Sequence, residues 1–287
     1  SMLWPPLVRI MAENLDEDWY RKGCVWVSLS SSGATVVLYL LTPLLIRISG
    51  WKSVFYLAVA AGSGAAAVWI RNTGRMFGDK GLAVTAGAEE KNAGTGKKPT
   101  GPKGAGAALF AGVPFVSILL AIVLHGTLKD GITTWMPVYM TEMFGMSSSR
   151  SILSTAVLPV CSVFSTLLSS ALLYRLKNEV LTATLLFGTG AAAGISMLAV
   201  YDSHPAVCVV MLIVITGCMF GVNLMLISRV PGHFAGRGKV SAVSGILNAA
   251  TYAGSALSTY VFGAVAESAG WMAVVILWAA AALGGRL

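Results

Sequence analysis

The sequence predicts an all-α fold, a polytopic bundle of transmembrane helices, and three observations carry that prediction. Hydrophobic residues fill 56% of the 287 positions and charged residues 11%, against roughly a quarter charged in a soluble domain; mean hydropathy is +0.75. Apolar stretches of about 18 residues or more recur along the chain, the length that crosses a hydrocarbon layer about 30 Å thick. Lysine and arginine fall mainly between those stretches, as topology signals do. The lipid bilayer is therefore the expected surrounding, and nucleic acid is not an expected partner: the formal charge of +8 forms no basic stripe interleaved with aromatics.

The elements follow in order. Residues 1–13 read as a partial helix, because Trp4-Pro5-Pro6 enters apolar sequence without a basic leader or a small-residue cleavage site. The chain is expected to begin inside a helix. Spans follow at 22–48, after Arg21, and at 51–70, closed by Arg71. Between 71 and 111 the texture becomes rich in Gly, Lys and Ala, with Gly94-Thr95-Gly96-Lys97-Lys98-Pro99 at its centre. Such a segment buries too little apolar area to order itself and reads as a flexible linker; it lacks the Walker-type spacing of a phosphate loop. Six further spans are predicted at 112–140, 150–173, 180–200, 206–228, 239–265 and 270–287.

Charge sets the orientation. An alternating assignment places fourteen loop cations, among them Arg21, Lys22, Arg175, Lys177, Arg229 and Lys239, on the side of the linker, and only Arg47, Lys52 and Arg150 on the other. By the positive-inside rule the linker is cytoplasmic. Three spans, counting the stub, precede it and six follow; three more upstream would give two halves of six, the plan of the major facilitator fold. On this reading 1–70 is the remainder of a first half (about helices 4–6), 71–111 the cytoplasmic linker and 112–287 the second half (helices 7–12). A chain lacking its first helices is expected to need them as partners and to transport nothing alone. The short loops suit a bacterial inner membrane.

Ionisable residues inside spans are costly and mark sites. His125, Lys129 and Asp130 lie near the middle of the span 112–140. His125 and Lys129 are four apart and share a helix face; Asp130 is offset by about 100°. An ammonium lining an aqueous cavity can hold an anion at the bilayer midplane, so Lys129 is the candidate charge partner of a small anionic substrate. Asp130 is the candidate coupling residue, since its pairing with Lys129 would change on binding. The same spacing also suits a structural Lys129–Asp130 pair. In the span 239–265, Asn248, Tyr252 and Ser255 form one stripe that either lines a cavity or bonds neighbouring helices. Ser28, Ser30, Ser31, Ser32 and Thr35 form a polar patch in 22–48 whose hydroxyls can bond backbone carbonyls of their own helix. Tyr139 reads as an interface anchor.

No Ser-His-Asp set, paired carboxylates or H-E-x-x-H motif is visible, and the three histidines are far apart in sequence. The sequence predicts no enzyme, no metal site and no cofactor. Cys24, Cys161, Cys208 and Cys218 have no ligand-type spacing and read as core residues.

Trp4-Pro5-Pro6-x-x-Arg9, Gly50-Trp51-Lys52-x-x-Phe55, Lys129-Asp130-Gly131-Ile132-x-x-Trp135-x-Pro137-x-Tyr139, Ser244-Gly245-x-x-Asn248-x-x-x-Tyr252-x-Gly254-Ser255 and Gly270-Trp271 occur in that order. Together they resemble the organophosphate:phosphate antiporter branch of the major facilitator superfamily, which includes glycerol-3-phosphate and hexose-phosphate exchangers and related sugar-phosphate sensors. The resemblance implies alternating access around a midplane site where two basic residues, one from each half, hold the phosphate. Here Lys129 alone matches, where exchangers typically carry arginine; lysine lacks the bidentate fork that suits phosphate, so another anion stays open. The resemblance also implies that Tyr252 reaches the cavity and that Ser30 stands where glycerol-phosphate exchangers carry histidine. It implies exchange of a sugar phosphate or glycerol phosphate for inorganic phosphate; proton-coupled symport of an organic anion or sugar acid, and sensing without transport, are the alternatives.

Overall fold

The computed structural model describes residues 4–72, 113–237 and 239–286. Among them every regular element is helical. The helices are α1 (Trp4–Asn14), α2 (Glu17–Ser49), α3 (Lys52–Asn72), α4 (Val113–Phe144), α5 (Ser148–Leu176), α6 (Glu179–Met197), α7 (Pro205–Val222) and α8 (Val240–Gly284). Between α7 and α8 the helix loosens into a π segment, Asn223–Arg229, and then a 3-10 turn, Val230–Arg237. Within α3 to α8 lie six helices long and apolar enough to cross a membrane. The linker reading falls outside the described residues except for Arg71 and Asn72, which end α3.

Two compact units divide the chain: Ser1–Val36 with Val113–Leu287, and Val37–Gly112. In the second, Ser53 Oγ donates to the Leu45 carbonyl at 3.2 Å and the Gly50 carbonyl at 2.6 Å. Trp51 meets Phe55 edge-on with centroids 5.9 Å apart. Apolar side chains of α3 such as Phe55, Tyr56, Val59 and Ile70 are exposed, as a face turned to lipid would be.

The first unit is organised around the seam between α4 and α8. A Cβ on Gly126 would stand 2.2 Å from the Thr251 carbonyl oxygen, and one on Gly254 would stand 2.0 Å from that of Val123. The two backbones therefore touch, reciprocally, where each helix places its glycine, the packing that lipid-embedded helices use in place of a hydrophobic drive. Thr127 Oγ1 adds a bond across the seam to the Gly254 carbonyl at 3.2 Å. Further along, Gly131 meets Phe262 and Ser258, and Gly263 meets Trp135.

Local signals end the helices. Lys177 closes α5 in the left-handed region (φ 54°), its amide donating to the Leu173 carbonyl at 2.7 Å. Asn178 then opens α6, its side chain accepting from the Leu181 amide at 3.0 Å, as an N-cap does. Pro205 begins α7, where a missing amide costs nothing. The spans expected at 239–265 and 270–287 are two helices within Val240–Gly284, joined across a kink at Gly270 (φ 79°, ψ 174°), backbone that only glycine adopts without strain.

Tyr139 is fully buried rather than at an interface. It packs on Phe144, Trp271 and Trp278, and its hydroxyl donates to the Tyr201 carbonyl. Cys24, Cys208 and Cys218 are buried, Cys161 is partly so, and all four are free thiols.

Candidate functional site

α4 carries Lys129 and Asp130 to the edge of the glycine seam. Lys129 Nζ lies 3.0 Å from Asp130 Oδ1 and 5.8 Å from the centre of the Phe220 ring, within the range of a cation–π contact. The other carboxylate oxygen of Asp130 accepts from Ser255 Oγ of α8. Ser255 also donates to the Thr251 carbonyl at 3.0 Å. Asp130 is thus held from two helices and serves as the internal counter-ion of Lys129.

Lys129 opens on a cavity of about 290 Å³. α2 contributes Ser28, Ser31 and Ser32; α8 contributes Asn248, Thr251 and Tyr252; α7 and the π segment contribute Phe220, Asn223 and Ile227; Trp4 and Thr166 complete the wall. Among these described lining residues Lys129 is the only charged one. The chemistry presented is one ammonium, two amides, several hydroxyls and aromatic faces, a set that pairs with one anionic group and bonds to hydroxyls around it.

The sequence-predicted residues divide accordingly. Lys129, Asn248 and Tyr252 meet at the cavity, and the third member of the stripe, Ser255, bonds Asp130. His125 is fully buried one turn before Lys129 and is absent from the cavity wall; neither ring nitrogen makes a hydrogen bond of ordinary geometry. Ser30 is exposed, donates to the Trp26 carbonyl at 2.8 Å and does not line the cavity. Its neighbours Ser28, Ser31 and Ser32 do. Helix rotation decides this, because residues one or two apart point about 100° and 200° apart.

Sequence reasoning missed the element that fixes that rotation. In the π segment the Ser228 carbonyl accepts from Tyr20 Oη at 2.6 Å and from Cys24 Sγ at 3.4 Å, both on the α2 face that leads to Ser28 and Ser31. Widened turns of this kind leave carbonyls to outside donors and occur often at functional sites. Beside it Arg229, 7% exposed, lies 3.7 Å from Glu179, whose other oxygen is 3.6 Å from His233 Nε2. The only signal available was that Arg229 ends a long apolar run.

A family model described as the Major Facilitator Superfamily matches residues 1–259. The chain belongs to the major facilitator superfamily. Membership makes it a multi-pass membrane protein and places it among transporters rather than enzymes. No curated protein matches the chain. It is similar to a solved structure described as a bacterial homologue of the iron transporter ferroportin in an outward-facing state, at 13% identity and a TM-score of 0.50. That likeness covers 99% of this chain and 85% of the other, and at such identity it concerns the fold alone.

Proposed function

We propose that this facilitator-family chain carries a small organic anion by alternating access, with Lys129 as the charge partner in the cavity between α2, α4, α7 and α8. The observation that supports it is the position of Lys129 on a cavity otherwise walled by amides, hydroxyls and aromatic rings. The wall's one ammonium among amides and hydroxyls suits an anion rather than the iron that the ferroportin homologue's description names. Asn223, Asn248, Tyr252 and the α2 serines suit the hydroxyls of a sugar or glycerol phosphate, the substrate class that the sequence motifs suggest, exchanged for inorganic phosphate.

The ion pair favours a second reading. Lys129 is neutralised by Asp130 at 3.0 Å, so an incoming anion competes with an internal carboxylate. Protonation of Asp130 would release Lys129 and couple binding to a proton. The two readings separate in proteoliposomes of the full-length protein offered labelled phosphate and sugar phosphates. Stimulation by phosphate on the opposite side supports exchange, accumulation driven by a proton gradient alone supports symport through Asp130, and absence of flux for every anion removes both.

A further inference from the structure

At the lysine- and arginine-rich end of the bundle, α2 and the C-terminal turns of α5 enclose a second, larger groove of about 690 Å³. We infer that this groove binds one anionic phospholipid, its headgroup phosphate held by Lys22, Lys177 and Arg229 and an acyl chain lying along Val25, Leu29 and Leu167.

The cations are available. Among the described residues, Lys22 and Lys177 form no ion pair. The Lys22 ammonium sits 4.8 Å over the Trp19 ring, and Lys177 is exposed on the left-handed residue that ends α5. Arg229 is nine-tenths buried, its Nε makes no hydrogen bond, and its one carboxylate, Glu179, is 3.7 Å away. Arg21 is already spent on Glu17 at 2.5 Å. Asp18 and Glu179 are the groove's own carboxylates, so with Arg21 paired to Glu17 three cations face two acids, and an incoming anion balances the excess.

The apolar wall makes the occupant a lipid rather than a soluble anion. Trp26, Leu167 and Tyr174 are 69%, 47% and 82% exposed, the last two on α5, a helix long and apolar enough to cross a membrane, so the groove opens beside a surface suited to lipid. Trp and Tyr beside lysines mark the headgroup level, and basic pockets between helices at the positive face take anionic headgroups. A soluble sugar phosphate gains nothing from a wall of Val25, Leu29 and Leu167; a phospholipid uses both halves.

The test is native mass spectrometry of the purified full-length protein titrated with phosphatidylglycerol or phosphatidylcholine. Wild type is expected to retain phosphatidylglycerol preferentially. Lys22→Gln with Lys177→Gln is expected to weaken it about 25-fold, roughly fivefold for each lysine near an anionic lipid. Lys22→Arg with Lys177→Arg should keep the preference. So should Arg175→Gln, which removes an exposed cation from the same end that does not line the groove. Equal retention of the two lipids overturns the proposal, as does an undiminished preference in the double glutamine variant. Displacement of bound phosphatidylglycerol by soluble glycerol phosphate also overturns it, because the groove would then read a free anion.

Discussion

Replacing Lys129 by alanine separates its structural role from its role with substrate. The substitution leaves Asp130 without the ammonium at 3.0 Å, held only by Ser255. An exposed pair contributes roughly 0.2–1 kcal/mol, whereas stranding one partner of a buried pair costs roughly 3–5 kcal/mol. The side chains here are 21% and 36% exposed, which places the loss between those limits, about 1–3 kcal/mol. For a chain of this size that lowers Tm by about 2–10 °C, readable by thermal unfolding of purified protein in detergent. Adding Asp130→Asn removes the stranded charge, so the double variant is expected to recover most of the lost Tm while transport stays abolished. A double variant as unstable as Lys129→Ala alone would refute the reasoning, since the loss would then not come from the carboxylate.

Three further outcomes follow from the geometry. Asp130→Asn alone frees Lys129 for an incoming anion and should lower KM about fivefold, the equivalent of roughly 1 kcal/mol for an exposed pair; an unchanged or higher KM in a transport assay contradicts it. Gly254→Val puts a Cβ 2.0 Å from the Val123 carbonyl oxygen, so α4 and α8 must separate at a cost of about 1–3 kcal/mol or more. Gly245→Ala, with Pro5 Cγ at 3.9 Å, should leave Tm within a degree or so; equal melting of the two variants would remove the seam from the account. Glu179→Ala strands the buried guanidinium of Arg229, whose side chain is 8% exposed, and should cost about 3 kcal/mol, with recovery on adding Arg229→Met; an unchanged Tm would show the pair to be idle.

The bundle was legible because apolar length is a direct record of bilayer thickness, and Lys129 and Asp130 stood out because charges in such a run are rare. The stripe of Asn248, Tyr252 and Ser255 was legible from spacing, although one strip of residues serves both outcomes the spacing allowed: two line the cavity and the third holds Asp130. Ser30 shows the limit. In a run of serines, which hydroxyl faces the cavity depends on helix rotation, and that is set by Tyr20 and Cys24 reaching a carbonyl more than two hundred residues away. The π segment that exposes this carbonyl has no composition signal, because Leu, Met and Ile suit an α-helix equally. Tyr139 was misread for a related reason: its aromatic partners Trp271 and Trp278 come from a distant helix, so the sequence near it shows a belt residue and the fold makes it core.

The most direct test of the account is uptake of labelled sugar phosphate into phosphate-loaded proteoliposomes of the full-length protein, compared between wild type, Lys129→Ala and Lys129→Arg. Phosphate-dependent uptake that is lost with alanine and retained with arginine is the result the account predicts. Uptake at the wild-type rate in Lys129→Ala would contradict it, because the cavity would then bind its substrate without the one charge that the described residues of its wall supply.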